Sequence, residues 1–126
     1  MKNLIRGILL IVFALALGFA PALQAAPGDR FAAVAYSPKT GRWGYGANYG
    51  TKSEAIARAR RECGRSDART NWCRNAWIAL AISDQSPGGW GSSWGETAEA
   101  ARQGAMRECL ARNPDARVVI CVSAYE

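Results

Sequence analysis

The side chains able to do covalent or acid–base chemistry in this sequence are few in kind. Histidine is absent, which removes Ser-His-Asp and Cys-His nucleophile arrangements. With no C-x-x-C pair either, the usual zinc spacings are missing. A Ser-Lys nucleophile would have to use Lys39 or Lys52. Ser53 adjoins Lys52, but side chains at i and i+1 on a helix diverge. Glu54, Glu62, Glu96, Glu99 and Glu108 fall at first-turn or exposed positions of helical segments, not as the close pair that acid–base catalysis needs. The glycines of Gly44-Tyr45-Gly46 and Gly88-Gly89-Trp90-Gly91 do not follow the G-x-x-x-x-G-K-[ST] spacing that cradles phosphate. These residues point to a non-enzymatic protein with no cofactor and no metal.

Two other sets of residues suit recognition. Trp43, Tyr45, Tyr49, Trp90 and Trp94 are interleaved with glycine, and flat rings on a glycine-rich surface can stack on sugar faces or anchor a protein partner. The competing expectation is core packing. The helices are rich in alanine, so large rings must fill volume somewhere, leaving one or two of the five exposed. Arg58, Arg60, Arg61, Arg65, Arg69 and Arg74 are offset only by Glu62 and Asp67. Arginine forks hold carboxylate or phosphate bidentately, against the plainer role of a solvated helix face.

The N-terminus reads as a cleavable export signal. Lys2 and Arg6 precede a run at residues 8–19 that carries no charge, Pro21 breaks it, and Leu23-Gln24-Ala25 offers small or apolar residues that suit cleavage after Ala25. Twelve apolar residues fall short of the roughly 20 that span a bilayer, and no cysteine follows for lipid attachment, so no stable membrane anchor is expected after cleavage. The whole chain has 16 Lys+Arg and 10 Asp+Glu, a net +6. Without Lys2 and Arg6 the count is 14 against 10, a net +4. Residues 26–126 make one domain. The expected location is periplasmic or secreted, which disfavours nucleic acid and leaves a protein partner, glycan or an anionic surface. The even set Cys63, Cys73, Cys109 and Cys121 in an exported chain suggests two disulfides. All three pairings are compatible with a duplicated unit. Cys63–Cys73 and Cys109–Cys121 are favoured because each joins a helix end to the strand after it.

The elements that position these groups come in a duplicated order. Ala33-Val34-Ala35-Tyr36-Ser37, a turn, the Trp-Gly segment 42–50 and a helix at 51–63 recur as 78–83, a turn through Ser86-Pro87-Gly88, a Trp-Gly segment at 89–95 and a helix at 97–111. The offset is about 46 residues, and Arg61-Glu62-Cys63 returns as Arg107-Glu108-Cys109. The repeats divide near residues 31–75 and 76–126. Thr51 and Glu54 form a capping box, Gly64 is a stop, and Asn113-Pro114 ends the second helix. Helix one should bury Ala55, Ile56, Ala59 and Cys63; helix two should bury Ala98, Ala101, Ala105, Met106 and Cys109. Gly104 is a weak point costing up to ~1 kcal/mol. The β-branched run at 117–124 is the surest strand. The expected fold is α+β, a duplicated β-β-α unit plus a closing strand, with two helices on one face of a small, mostly antiparallel sheet.

Ala35-Tyr36-Ser37, Gly41-Arg42-Trp43-Gly44-Tyr45, Tyr49-Gly50, Glu62-Cys63-Gly64, Arg74-Asn75-Ala76 and Ala79-Leu80-Ala81 together resemble a family of small exported bacterial proteins catalogued only as a domain of unknown function. The resemblance covers nearly all of residues 26–126. Relatives often carry a cysteine after the Arg-Asn pair, whereas Trp77 occupies that neighbourhood here and Cys73 precedes Arg74. The resemblance implies an exported, non-enzymatic domain and supplies no site residues. The functional expectation is an envelope interaction protein that binds a protein partner, as an inhibitor or immunity protein would. The alternative is a glycan- or envelope-binding module that uses the Trp/Tyr-Gly surface and the arginines.

Overall fold

The structure is a computed structural model and describes residues 26–85 and 89–126. The leader at 1–25 and the turn at Ser86-Pro87-Gly88 lie outside the described residues. The order of elements is β1 (Phe31–Tyr36), β2 (Trp43–Tyr49), α1 (Lys52–Cys63), β3 (Arg69–Arg74), β4 (Trp77–Ile82), β5 (Trp90–Gly95), α2 (Ala98–Leu110) and β6 (Arg117–Ser123). The repeated unit is therefore β-β-α-β. Two antiparallel three-stranded sheets form, ordered β2-β1-β3 and β5-β4-β6.

The α+β class stands, but the single sheet with both helices on one face is replaced by four layers, helix on sheet on sheet on helix. The reason lies in β1 and β4, which are apolar at every position. Period-2 alternation sends Ala32, Val34 and Tyr36 one way and Phe31, Ala33 and Ala35 the other. A strand buried on both faces needs a cover on each. Val34, Tyr36, Ile78, Leu80 and Val122 form the core between the sheets. Ala33, Ala35, Ala55, Ala59 and Cys63 pack α1 on the outside of the first sheet, and Ala79, Ala81, Ala101, Ala105 and Cys109 pack α2 on the outside of the second. Among the described residues, all three cores are built from residues within 31–124.

The Trp-Gly alternation has the same two-sided cause. In β2 and β5 the aromatics Trp43 and Trp90 face the other sheet and pack against the central core, with Trp90 stacked on Tyr36 at 5.8 Å between centroids. Gly44 and Gly91 face the helices. A Cβ on Gly44 would lie 2.6 Å from the Ala59 carbonyl oxygen, and one on Gly91 2.5 Å from that of Ala105. The alanine-faced helices sit too close to the strands for any side chain there.

Caps follow the sequence. The Thr51 hydroxyl accepts from the Glu54 N–H at 3.2 Å and Thr97 from the Ala100 N–H at 3.1 Å. Glu54 accepts from the Thr51 hydroxyl at 2.9 Å. Gly64, at φ 70°, closes α1, and the Asn113 amide donates to the Cys109 carbonyl to close α2. A matching lock appears in each unit: Ser37 donates to Asp67 at 2.7 Å, and Ser83 to Asp115 at 2.5 Å.

The expected disulfides do not form: all four cysteines are free thiols. Cys63 lies under α1, its Sγ 3.4 Å from the Arg42 carbonyl, while Cys73 points into the core between the sheets. They occupy opposite faces of one sheet. Cys109 and Cys121 share a face but sit at opposite ends of α2. The Cys109 thiol is beside the Asp115 carbonyl, whereas the Cys121 thiol donates to the Ala98 carbonyl at 3.6 Å. Eleven helical residues separate Ala98 from Cys109, about 16 Å of rise, and a disulfide requires Cα atoms within ~7 Å. Burial raises the thiol pKa of Cys109 and of Cys121, and pushes that of Cys73 up to about 11.

Candidate functional site

The sheets pack with β1 over β4, which leaves β3 of one sheet beside β5 of the other at one rim of the sandwich. β3 is held to β1 with Cys73 opposite Ala32 and Trp72 opposite Ala33. Alternation therefore sends Asn71 and Cys73 inward and Trp72 outward, toward the start of α1. On β5, Trp94 lies opposite Ile78 and Ser92 opposite Leu80, so both face the sheet interface. The two strands enclose a cleft of about 490 Å³ lined by Asn71, Trp72, Cys73, Arg74 and Trp94.

The cleft is rigid on its polar side. The Asn71 amide donates to the Ser92 hydroxyl at 3.0 Å, and that hydroxyl donates to the Ala79 carbonyl at 3.0 Å. The Asn71 side-chain oxygen accepts from the Trp72 N–H at 2.9 Å. Trp72 leans on Phe31 with centroids 6.2 Å apart, and Lys52 Nζ sits 4.3 Å from its ring centroid, a cation–π contact of about 0.5–1 kcal/mol at an exposed position. Arg74 lies 3.8 Å from the Asp29 carboxylate. Trp94 is 58% exposed and Trp72 37% exposed.

Chemically, the cleft offers indole faces, a guanidinium and a neutral thiol. Cys73 is 2% exposed, and burial holds its pKa near 11, so at neutral pH it is protonated and not nucleophilic. Among the described residues no group of three or more His, Cys, Asp or Glu could hold a metal ion, and no helix is long and apolar enough to cross a membrane.

The residues expected to bind do not gather in one place. Trp43 and Trp90 are half-buried against the central core. Tyr45 and Tyr49 lie in a second cleft of about 370 Å³ with Arg58, Glu62 and Glu126. Arg58 is engaged there: its Nε donates to Glu62 at 2.8 Å, and the bonds to Glu62 and then Tyr49 raise its pKa. Arg60, Arg61 and Arg65 are exposed on α1 and the loop after it, and Arg69 and Arg74 on β3, so the arginines do not form one patch. Only Trp94 of the aromatic set reaches the β3–β5 cleft. Sequence reasoning missed its partners Asn71 and Trp72. The available signal was the alternation in Arg69-Thr70-Asn71-Trp72-Cys73-Arg74, the pattern of an edge strand.

A model of the family described as Domain of unknown function (DUF4189) matches residues 31–123. No curated protein and no solved structure matches the chain.

Proposed function

The chain belongs to that family, and we propose that it is an exported, non-enzymatic interaction protein of the bacterial cell envelope that binds a protein partner in the β3–β5 cleft. The observation that carries this reading is Trp94, a large ring 58% exposed at the mouth of a preformed cleft. A tryptophan so placed is a typical interface anchor, and truncating such an anchor costs about 2 kcal/mol or more. Export rests on the leader read at residues 1–25. An inhibitor or immunity-like role suits a small domain whose β3–β5 cleft offers rings and a cation.

The same rings support a glycan-binding module as the second reading. It is the weaker one because the Asn71 side chain is engaged at both ends, by Trp72 and by Ser92. Sugar recognition needs polar groups aimed at hydroxyls as well as a stacking face. A protein partner can use ring area and the Arg74 guanidinium without them.

The test is retention of envelope proteins and of purified cell-wall material on immobilised residues 26–126, with Trp94→Ala and Trp72→Ala alongside. One protein retained near stoichiometry, and lost with Trp94→Ala while the fold is intact by circular dichroism, supports the reading. Wall material retained in its place supports the glycan module. A partner held equally by Trp94→Ala rules the cleft out.

A further inference from the structure

The opposite end of the molecule carries a second surface, independent of the cleft. Between α2 and β6 runs an open trough of about 860 Å³. It is lined by the apolar Met106, Leu110, Ala111 and Val118, by Gln103, and by Arg102, Arg107 and Arg117. Among the described residues no acidic side chain lines it. Two acids stand at its margin, each bonded to a residue that lines it. Glu99 accepts from Gln103, Asp84 is held by Arg117 at 2.8 Å, and Glu108 packs its Cβ toward Gly91 on the β5 side of the helix.

Helical spacing produces this surface. Residues 102, 106 and 110 stack on one face at i, i+4 and i+8, and Arg107 flanks them one position on. Leu110 stands 48% exposed. It is an exposed apolar side chain among guanidiniums. An exposed leucine among arginines matches the headgroup boundary of a bilayer. The leucine enters the acyl edge and the guanidiniums take phosphate oxygens bidentately.

We propose that the trough between α2 and β6 docks the protein on an anionic phospholipid surface, with Leu110 and Met106 inserting and Arg102 and Arg107 binding headgroup phosphate. Arg117 contributes less, since Asp84 already holds it. The contact is peripheral and reversible: one exposed leucine and a few arginines are far from the insertion energy of a spanning helix. The occupant is fixed by charge complementarity, because the charged side chains that line the trough are all arginines and Arg102 and Arg107 stand exposed beside its apolar residues.

The experiment is flotation of residues 26–126, which exclude the apolar leader, with vesicles of phosphatidylcholine alone or containing about a third phosphatidylglycerol. Binding to the anionic vesicles only, and release as salt rises from about 0.1 to about 0.5 M, is expected. Each arginine near an anionic surface contributes about fivefold in partitioning, so Arg102→Gln with Arg107→Gln should weaken it about 25-fold. Leu110→Gln should weaken it roughly fivefold. All three positions are exposed, and circular dichroism with thermal melting verifies that each variant folds. Equal binding to both vesicle types overturns the proposal, as does anionic binding unchanged by the arginine pair. Failure to float, with capture of an acidic amphipathic helical peptide in its place, makes the trough a protein-docking site and also overturns it. Trp94→Ala should leave flotation unchanged, which separates this surface from the cleft.

Discussion

Gly104→Ala is the substitution on which sequence propensity and structure disagree in sign. A glycine inside a helix costs about 1 kcal/mol against alanine, so propensity alone predicts that the change stabilises. The structure predicts the reverse. A Cβ on Gly104 would lie 2.6 Å from the Ser93 Cβ and closer still to its hydroxyl oxygen. The hydroxyl can rotate away, but the Ser93 Cβ is fixed by the β5 backbone, so helix and strand must move apart. Overpacking of this kind costs typically 1–3 kcal/mol. Set against the propensity gain, the net is a loss of about 1 kcal/mol, or roughly 4–8 °C in Tm for a domain of this size. The first repeat solves the same contact with the partners exchanged. Gly46 stands on the strand, 2.9 Å by a built Cβ from the Cβ of Arg58 on the helix. Ser93→Gly should therefore rescue Gly104→Ala, although Ser93→Gly alone destabilises a strand by about 0.5–1 kcal/mol. Urea titration of the four proteins, followed by tryptophan fluorescence, yields the coupling energy. The expected coupling is about 2 kcal/mol in favour of the double variant. A stabilised Gly104→Ala, or additive single changes, would refute the close-approach argument.

Other outcomes follow from the same packing. Gly44→Ala and Gly91→Ala each drive a methyl into helix backbone, and each should cost about 3 kcal/mol or more in denaturant melts; wild-type stability in either would contradict the geometry. Alkylation in denaturant without reductant should label four thiols, and in the native state Cys121 should react first because it alone of the four is only partly buried; fewer than four labels would mean a disulfide that these positions exclude. Cys73 has a folded pKa near 11 against about 8.5 unfolded. A raised folded value contributes stability in full below about pH 8.5, and that contribution is lost as pH climbs toward 11. Wild type should lose on the order of 3 kcal/mol more than Cys73→Ala across that window; parallel pH profiles would place the thiol in water. Trp94→Ala should leave stability within about 0.5 kcal/mol, since the ring is largely exposed, so a large thermal shift would give Trp94 a packing role.

What the sequence determined by itself was local. Helix positions, the Thr51 cap, the Gly64 stop, the buried alanine and cysteine stripes and the duplication all follow from short-range propensity and period, which act within a few residues. The α+β class followed from the order of those elements. The number of sheets did not. Four of the six residues of Arg69–Arg74 are polar, and the sequence alone assigns no strand there. Only pairing with β1 makes it a strand, and that pairing gives each unit its own sheet. Once there are two sheets, β1 and β4 need covering on both faces, and the four layers follow. The cysteine pairing was decided at the same level. The side of a sheet to which Cys73 points, and the end of α2 that Cys121 meets, depend on register, which no spacing along the chain reveals. Tertiary structure alone also sorted the aromatics. Trp43 and Trp94 sit in similar Trp-Gly contexts, yet one fills the space between sheets and the other stands at a rim, because exposure depends on where a strand ends relative to the opposing sheet. The glycines beside them were conspicuous in the sequence, but their cause was not: a helix lying too close for a Cβ is a fact about distance between elements far apart in the chain.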